Sequence, residues 1–463
     1  MKFMQKINKS YVILVAFFLF HLFCLTLGRD IYCLQLTDDM AENYAWGQEM
    51  QLGYYKHPPF FAWVAYAWLS IFGTSHFAYY LLSQFTVVVA MIFIFLLSRR
   101  FISENKAVFA VILLEFIIYY NFKAFRFNAN TILIPLFPAI SFFFMKSLQE
   151  NRTKDWVLFG LTATLGMLAK YATVALLLVF VLYALHKRRD IFKNKRAYLA
   201  VLVFVATISP HIYWLFQTDF ITFRYAHSQI QTQHFFGYYA LRFPFAQIPF
   251  ILCAALVVFF TTKKSQHSAE NSTQNNALLL YLTFMPTLVM TMLGFAANME
   301  ISSVWGIPNW FLFTTFLLRN REISKPRVII LLAVLLNIAY LIYGICVYAF
   351  DIKVKLNRYD ARQVNAEIEK KWNEITQNRT ILYAVGNTTP IQDFIFYSPQ
   401  KIHAFFEFDH KISPWIPQNH DRQSSIAMCE NRNDACKLKA VEYFSQIEFV
   451  IMEANQALIY IPK

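Results

Sequence analysis

Apolar stretches of about 20 residues recur along the first three quarters of this chain, and they limit its possible folds more than any other feature. A helix of about 20 apolar residues is long enough to cross the hydrocarbon core of a bilayer. The composition agrees: 57% of the residues are hydrophobic and 15% are charged, where soluble domains carry roughly 25% charge. The pattern predicts an α-helical polytopic membrane protein and excludes an ordinary soluble enzyme.

Eleven windows of this kind predict about eleven transmembrane helices. They fall at 10–28, 77–98, 106–122, 130–147, 155–169, 171–186, 197–217, 244–262, 277–297, 303–318 and 327–350. The short pair 155–169 and 171–186 could instead form one kinked span, so the predicted count varies by one or two. A cleaved signal peptide is an alternative for the first window. Its length, and the lack of a small-residue cleavage motif before Arg29, favour a membrane helix.

The loop cations predict the orientation of the chain. Every second loop, counted from the N-terminus, is rich in Lys and Arg, with 21 of them against 7 in the opposite loops. Short loops rich in Lys and Arg stay in the cytoplasm. We therefore expect a cytoplasmic N-terminus, and an odd number of spans places the C-terminus outside. Because the cations lie in loops and not on one accessible face, the +14 charge does not indicate a nucleic-acid partner.

Two ionisable residues, His21 and Glu115, lie inside apolar windows. Ionisable groups within a membrane are candidates for function. An isolated Glu in such a place is more often a hydrogen-bond partner for a neighbouring helix, and we expect that role for Glu115.

The composition changes after residue 350. Residues 351–463 are about a quarter of the chain but carry half of the acids, and they contain alternating strand-like patterns at 380–385 and 449–452, with helical patterns at 359–377 and 434–446. This alternation predicts a small α/β domain outside the membrane, separate from a transmembrane domain at 1–350. Cys429 and Cys436 could form a disulfide on an oxidising outer face, or remain two thiols.

The first outer loop, residues 29–76, is far longer than a connection requires. Loops longer than about 15 residues are usually functional or disordered, and this one has ordered patterns. Thr37 or Asp38 can cap a helix whose first turn holds Asp39, with Glu42 one turn later. These acids are either a cap and a surface charge, or groups with a chemical task.

The same loop predicts two helices at the membrane surface. Gly53 is expected to end the first of them, and Pro58 and Pro59 turn the chain. An aromatic segment that begins at Phe60 then forms the second helix at the level of the lipid headgroups, where Trp and Tyr are favoured.

The motif Asp-x-x-Glu-x-x-x-Trp at 39–46, followed by Gly-Tyr-Tyr-Lys-His-Pro-Pro at 53–59, resembles the first outer loop of a known enzyme family. These are the C-superfamily glycosyltransferases that use polyprenyl-phosphate sugars, including dolichyl-phosphate-mannose protein mannosyltransferases and lipid A aminoarabinose transferases. Shorter matches occur at 127–130, 168–171 and 209–226. One departure is clear: the family's usual Glu after the catalytic Asp is Met40 here, and an acid stands at Glu42 instead.

The resemblance implies that Asp39 is the catalytic carboxylate. It lies 18 residues before His57, as in the family. Asp38 is the alternative if the register differs by one. Glu42 either takes the role of the family's second acid, or that acid is dispensable. A carboxylate suits the reaction because an acceptor hydroxyl must lose its proton as it attacks the sugar.

The phosphate that leaves the donor requires cations, and the outer loops hold few of them. Lys170 matches a family lysine, and His57 occupies a family position that carries His or Lys. The alternative for Lys170 is a lysine that only extends its charge to the membrane interface. The alternative for His57 is a structural hydrogen bond at the turn formed by the two prolines. Arg126 and Arg224 are further phosphate candidates, the latter with an ion pair to Asp219 as its alternative. Candidates for contacts with the sugar or acceptor are Tyr55, Asn128 and Asn130, although an Asn here could simply cap a helix.

The resemblance predicts a bacterial inner-membrane enzyme that transfers sugar from undecaprenyl phosphate to a lipopolysaccharide or lipid A acceptor on the periplasmic face. Transfer to protein is one alternative, and a lipid or solute transporter is another, although nearly uncharged spans speak against transport. No nucleotide-binding glycine loop occurs, which agrees with a lipid-phosphate donor and not a nucleotide sugar. No metal-ligand motif occurs in the outer loops, so no cofactor is certain. Some relatives require a divalent cation, which leaves that cofactor open.

Overall fold

The computed structural model describes residues 9–228, 238–265, 273–350, 360–444, 447–452 and 457–462. Its contacts divide the chain into two compact units. The transmembrane unit comprises Met1–Gly28, Lys56–Pro58 and Leu81–Ile342, and the loop–domain unit comprises Arg29–Tyr55, Pro59–Tyr80 and Tyr343–Lys463. Most of the first outer loop is thus grouped with the C-terminal region. The predicted separation of two domains at residue 350 stays a prediction.

The chain is mostly helical, as expected of a polytopic membrane protein. Six helices in the described ranges are long and apolar enough to cross a membrane: Ser10–Asp30, His76–Ser98, Lys195–Gln217, Ala240–Thr261, Asn276–Ala296 and Pro326–Ala349. Other helices of the first 350 residues are Asp38–Glu49, Phe60–Phe72, Glu104–Ile112, Leu133–Glu150, Thr153–Ala169, Thr173–Lys187, Ile221–Ser228 and Phe313–Leu318. The number of transmembrane helices expected from the sequence, about eleven, stays a prediction.

Two of the predicted windows, 106–122 and 303–318, do not form continuous helices. The first becomes 3₁₀ turns after Ile112, and the side-chain amide of Asn121 donates a hydrogen bond to the Glu115 carbonyl oxygen that a continuing helix would use. The second begins with the 3₁₀ segment Ser303–Trp310, which contains Pro308. Proline has no N–H to donate to the hydrogen bonds of an α-helix. The hydrophobic period identifies apolar segments but not these interruptions.

The windows 155–169 and 171–186 form a helical hairpin and not one kinked span. Lys170 between them is extended, with φ −163° and ψ 137°. The Thr173 hydroxyl donates to the Gly166 carbonyl oxygen at 2.7 Å, and the Phe159 and Phe180 rings lie 5.6 Å apart farther along the two helices. The two helices are therefore antiparallel, because contacts farther from Lys170 join residues farther apart in the sequence: 166 contacts 173, and 159 contacts 180. Lys170 therefore lies at the tip of the hairpin.

Several loops that the charge pattern assigns to one face do lie together. Asn151 accepts hydrogen bonds from Asn194 at 2.8 Å and from Arg196 at 2.7 Å, which joins the loops at 151 and 194. Strand β1 (Thr262–Lys264) pairs antiparallel with β2 (Arg321–Ile323), which joins two more. Shared contacts support the predicted grouping of these loops. Lys2 and Lys6, and part of the loop 218–243, lie outside the described residues.

His21 and Glu115 form a fully buried pair inside the transmembrane unit. The His21 Nδ1 and Glu115 Oε1 atoms are 2.5 Å apart. The pair joins the first membrane helix to the 3₁₀ turn Leu113–Phe116, so Glu115 is an interhelical hydrogen-bond partner as expected.

The C-terminal region contains a mixed five-stranded sheet. Its strands are β3 (Tyr383–Gly386), β4 (His403–Phe406), β5 (Ser425–Glu430), β6 (Ile447–Met452) and β7 (Ala457–Pro462), in the order β4-β3-β5-β7-β6. The first three strands are parallel, and β7 is antiparallel to both of its neighbours. The helices are Ala361–Thr376, Thr388–Tyr397 and Asp434–Tyr443. The helical and strand patterns predicted from the sequence thus correspond to an α/β fold.

Cys429 and Cys436 form a disulfide between β5 and the helix Asp434–Tyr443, with their Cα atoms 5.6 Å apart. Both cysteines are buried in the core of this region together with Tyr443 and Tyr460. Replacing both by Ser should lower the free energy of unfolding by about 2 to 3 kcal/mol, because the bond restricts a short loop of the unfolded chain. Limited proteolysis of this region against temperature measures the loss.

Cys253 supplies the control for that measurement, since it is an exposed free cysteine on a membrane helix. Its replacement by Ser should leave the proteolysis midpoint unchanged. Equal midpoints for the wild type and the double variant under oxidising conditions would show that the disulfide does not stabilise the region.

Candidate active site

The candidate catalytic acids lie at the start of the loop helix, Asp38–Glu49. Thr37 is the N-cap residue by its extended backbone, and Asp38 and Asp39 both stand in the first turn with exposed side chains. A carboxylate in the first helical turn is stabilised by the partial positive charge of the helix N-terminus. Both carboxylates lie at the surface of the protein.

Glu42 differs from these two acids because its side chain is buried, with 7% of its surface exposed. The Glu42 carboxylate is therefore less accessible to a substrate than the exposed carboxylate of Asp39. Asn43, beside it, is also buried, and its side chain meets the Tyr79 hydroxyl, which donates to the Met40 carbonyl oxygen at 2.7 Å. The polar groups behind the first turn thus fix its backbone.

The loop helix ends at Glu49 and not at Gly53 as predicted. Met50 adopts the left-handed conformation, with φ 45°, and its N–H donates to the Gly47 carbonyl oxygen. This residue closes the helix in place of a glycine. The aromatic helix that follows begins at Phe60, as the sequence predicts.

Close packing holds the loop helix against the aromatic helix, Phe60–Phe72. A Cβ atom at Gly47 would lie 2.5 Å from the Ala62 carbonyl oxygen, so only glycine permits this approach. Trp46 is fully buried and stacks on Tyr54 with ring centroids 4.9 Å apart, and the Tyr54 hydroxyl donates to the Trp46 carbonyl oxygen at 2.7 Å. The family motif residues 46 and 54 are thus packing residues, with Tyr55 half-buried beside them.

The C-terminal helix Thr388–Tyr397 also packs on the loop helix, within the loop–domain unit. The Tyr397 hydroxyl accepts a hydrogen bond from the Leu36 N–H at 3.0 Å and meets His76 Nε2 at 2.6 Å. The Phe396 ring lies 5.3 Å from that of Tyr44. No sequence pattern predicts these contacts, because about 350 residues separate the partners.

In the transmembrane unit, Lys170 forms a polar cluster at the hairpin tip. Its ammonium Nζ donates to the Asn130 Oδ1 at 2.5 Å and lies 4.5 Å from the centre of the Trp305 ring. The side chain is only 8% exposed. A buried ammonium beside an amide and an aromatic face is a suitable site for an anion such as phosphate. Trp305 is a new candidate, which no motif in the sequence indicated.

Asn128 has a structural task in this region. Its Oδ1 accepts hydrogen bonds from the backbone N–H groups of Asn130 at 2.8 Å and Thr131 at 3.1 Å. These bonds form the turn that precedes the helix Leu133–Glu150. Of the two predicted amides, Asn130 contacts Lys170, whereas Asn128 stabilises the turn that contains Asn130.

The two predicted arginines are more exposed than Lys170. Arg126 is exposed and stacks on Phe125, with its guanidinium 5.4 Å from the ring centre. Arg224 is exposed and forms an ion pair with Asp219, the alternative that the sequence left open. A phosphate would compete with Asp219 for Arg224, which makes this cation a weaker candidate than Lys170.

His57 is half-buried and responds to the charge of Lys170. Burial, followed by the positive charges of Lys170 and Lys56, lowers the pKa of its imidazole to about 3. His57 is therefore neutral at pH 7 and can donate one hydrogen bond, but it is not a second cation.

Replacing His57 by Gln should keep the transfer rate within about tenfold of the wild type, because an amide also donates a neutral hydrogen bond. Replacing it by Ala should cost roughly 10- to 100-fold, the value of a hydrogen bond to a charged group. Since the lowered pKa keeps the imidazole neutral from pH 5 to 8, the wild-type rate should show no inflection from His57 in that range. Rates of the three proteins across this pH range test the prediction.

An inflection near pH 6.5 that disappears in His57→Gln would contradict the neutral role. Such a result would mean that the imidazolium form, and not the imidazole, contacts the donor.

Several comparisons with known proteins bear on this site. The sequence profile of the dolichyl-phosphate-mannose-protein mannosyltransferase family matches residues 56–214. Two lipopolysaccharide core galacturonosyltransferases of Rhizobium johnstonii are similar in sequence. RgtB is 26% identical, and the match covers 40% of this chain and 39% of RgtB. RgtA is 27% identical, and the match covers 46% of this chain and 42% of RgtA. The chain thus matches about two fifths of the length of these curated relatives.

Crystal structures of ArnT from Cupriavidus metallidurans share the fold. The apo structure superposes with a TM-score of 0.63 and the structure bound to undecaprenyl phosphate with 0.59. Each is 15% identical in sequence, and each alignment covers 98% of both chains. The resemblance to the C-superfamily is confirmed.

Only some of the candidate residues lie within the segment that matches the family profile. His57, Asn130 and Lys170 fall inside residues 56–214, whereas Asp39 precedes them. No group of three His, Cys, Asp or Glu side chains that could hold a metal ion occurs among the described residues. A divalent cation is therefore an expectation that rests on the C-superfamily resemblance alone.

Proposed function

We propose that this protein is a glycosyltransferase that moves a sugar from undecaprenyl phosphate to a lipopolysaccharide-type glycolipid. The similarity to two lipopolysaccharide core galacturonosyltransferases supports the acceptor class. The match to the mannosyltransferase family, whose name includes a polyprenyl-phosphate donor, supports the donor class. The ArnT structure bound to undecaprenyl phosphate adds a fold that accommodates such a lipid.

In this proposal, Asp39 is the general base. It accepts the proton of the acceptor hydroxyl as the oxygen bonds to the anomeric carbon of the sugar. The bond from that carbon to the phosphate oxygen breaks at the same centre, and polyprenyl phosphate leaves with the electron pair. The exposed first-turn position of Asp39 suits this task, and buried Glu42 is a positioning residue behind it.

Lys170 stabilises the negative charge that develops on the departing phosphate. Its burial strengthens this interaction because little water competes for the anion. Asn130 orients the ammonium group through its Oδ1, and neutral His57 adds a hydrogen-bond donor. Tyr55 remains the candidate for a contact with the sugar or the acceptor.

We place the reaction on the periplasmic face of a bacterial inner membrane. The excess of cations in alternate loops supports this orientation, because such loops remain cytoplasmic. Asp39 and Lys170 then belong to loops on the opposite, outer face. The C-terminal α/β region, with its disulfide, belongs to the same oxidising compartment.

The observation that carries the proposal is the buried Lys170 in contact with Asn130 and Trp305. Mass spectrometry of lipid A, core and O-antigen from a deletion strain and its parent tests the function. Loss of one sugar mass from a glycolipid, restored by the wild-type gene, is the expected result. Unchanged glycolipids with a sugar missing from a protein would make protein the acceptor. Unchanged glycolipids and glycoproteins would remove the proposal.

A further inference from the structure

An apolar cavity of about 240 Å³ lies between helices of the transmembrane unit, away from Lys170. Its walls come from the helices Leu133–Glu150, Thr153–Ala169, Thr173–Lys187 and Lys195–Gln217, and from the 3₁₀ turn Arg189–Lys193. The lining side chains are apolar throughout. A cavity with such walls in a membrane protein is suited to a hydrocarbon chain.

Aromatic rings and small residues shape this cavity. The Phe144 and Phe180 rings stack with centroids 4.2 Å apart, and Phe159 meets Phe180 at 5.6 Å. A Cβ atom at Gly160 would lie 2.5 Å from the Ala200 carbonyl oxygen, so the two helices that carry them touch there. The aromatic rings of Phe144, Phe159 and Phe180 line the space beside this contact.

The two loops at this end of the helices, 146–155 and 187–196, are strongly basic. They hold nine Lys and Arg side chains and three acids. Each acid is already paired: Asp155 with Lys146 at 3.1 Å, Glu150 with Arg152 at 2.9 Å and Asp190 with Arg188 at 2.8 Å. Six cations make no ion pair with the described residues: Lys154, Lys187, Arg189, Lys193, Lys195 and Arg196.

Several of these cations are close in the sequence to residues that line the cavity. Phe192 lines the cavity, and Lys193 follows it. Ala184 lines it, and Lys187 stands one turn later on the same helix. Ala197 lines it directly after Arg196. An apolar chain in the cavity would therefore carry its polar end to a cluster of exposed positive charges.

The cavity is distinct from the proposed donor site. Lys170 lies at the tip of the hairpin, whereas the basic loops lie at its open end, one helix length away. The helix Thr153–Ala169 has 17 residues, which corresponds to roughly 25 Å. The two positively charged sites thus adjoin opposite ends of the same helices.

We propose that the cavity and the six cations beside it that make no ion pair with the described residues, here called the basic rim, bind an anionic phospholipid of the surrounding membrane. One acyl chain enters the aromatic cavity, and the phosphodiester contacts the exposed lysines of the rim. The occupant is a membrane phospholipid and not the sugar donor, because this end of the hairpin is the one opposite Lys170. Basic pockets between membrane helices bind anionic lipid headgroups.

The first test removes three of the six positive charges of the basic rim. The variant Lys187→Gln/Lys193→Gln/Lys195→Gln changes three exposed lysines, and Lys263→Gln/Lys264→Gln/Lys325→Gln changes three exposed lysines of the β1–β2 loops as the matched control. Native mass spectrometry of delipidated protein titrated with phosphatidylglycerol or phosphatidylcholine measures binding. We expect the wild type and control to prefer phosphatidylglycerol by about tenfold or more, and the rim variant to lose that preference.

The second test fills the cavity while the charges stay. Ala184→Phe places a ring inside it, and Leu185→Phe enlarges an exposed neighbour on the same helix as the control. Phosphatidylglycerol affinity should fall at least tenfold in the first variant only.

Equal binding of the two lipids by the wild type, or equal losses in the rim variant and its control, would overturn the proposal. Displacement of phosphatidylglycerol by an equal concentration of undecaprenyl phosphate would also overturn it, since the occupant would then be a polyprenyl lipid. If Ala184→Phe fails to fold, the charge variants alone decide the outcome.

Discussion

Replacing Asp39 by Asn should lower the rate of sugar transfer by about 10²- to 10⁴-fold, the usual contribution of a general base. The amide cannot accept the proton of the acceptor hydroxyl, but it has nearly the same size and stays in the exposed first turn of the loop helix. The measurement is the fraction of glycolipid that carries the transferred sugar when the variant complements a deletion strain. Expression and thermal stability should match the wild type.

Asp38→Asn is the matched control for this variant. Both acids are exposed and adjacent in the same helical turn, so the two substitutions change the local charge equally. We expect the Asp38 variant to retain transfer within about tenfold of the wild type, because it leaves the proposed general base in place. Full activity of Asp39→Asn would eliminate the proposed mechanism. Loss confined to Asp38→Asn would move the catalytic role by one residue.

Replacing Lys170 by Met should lower transfer by roughly 10²- to 10³-fold, because it removes the positive charge that we propose stabilises the departing phosphate. Methionine keeps an unbranched apolar side chain, so the packing against Trp305 is largely preserved. Lys170→Arg should recover only part of the activity, since its wider planar group does not reproduce the contact with Asn130. Donor titrations in a purified transfer assay compare kcat and KM for each variant.

Lys123→Met provides the control for the Lys170 variants. Lys123 is an exposed cation in a loop that is predicted to face the outside, and its loss should leave transfer within about twofold. A fully active Lys170→Met enzyme would mean that the ammonium only reaches the membrane interface, which is the alternative considered from the sequence.

Local patterns predicted much of the architecture. The apolar windows identified helical segments, and the alternation after residue 350 identified the strands Tyr383–Gly386 and Ile447–Met452. Such patterns arise from burial on one face of an element, which a sequence records directly. The tandem prolines before Phe60 likewise predicted the start of the aromatic helix, because proline fixes its own backbone.

Features that depend on distant partners could not be predicted in this way. The helix end at Met50 was placed at Gly53, since a non-glycine residue in a left-handed conformation has no clear sequence signal. The break at Ile112 depends on Asn121, and the contact of Lys170 with Trp305 joins segments 135 residues apart. The burial of Glu42, unlike the exposure of Asp39, is likewise set by tertiary packing.

The helix Thr388–Tyr397 has a consequence for biosynthesis. Tyr397 contacts Leu36 and His76, so the backbone around the proposed base is completed by a segment near the end of the chain. A polypeptide emerging from the ribosome inserts its early helices long before that segment exists. The packing around the loop helix should therefore be completed only after the C-terminal region has been translated, so a shortened chain that lacks Tyr397 should have a less firmly held loop helix.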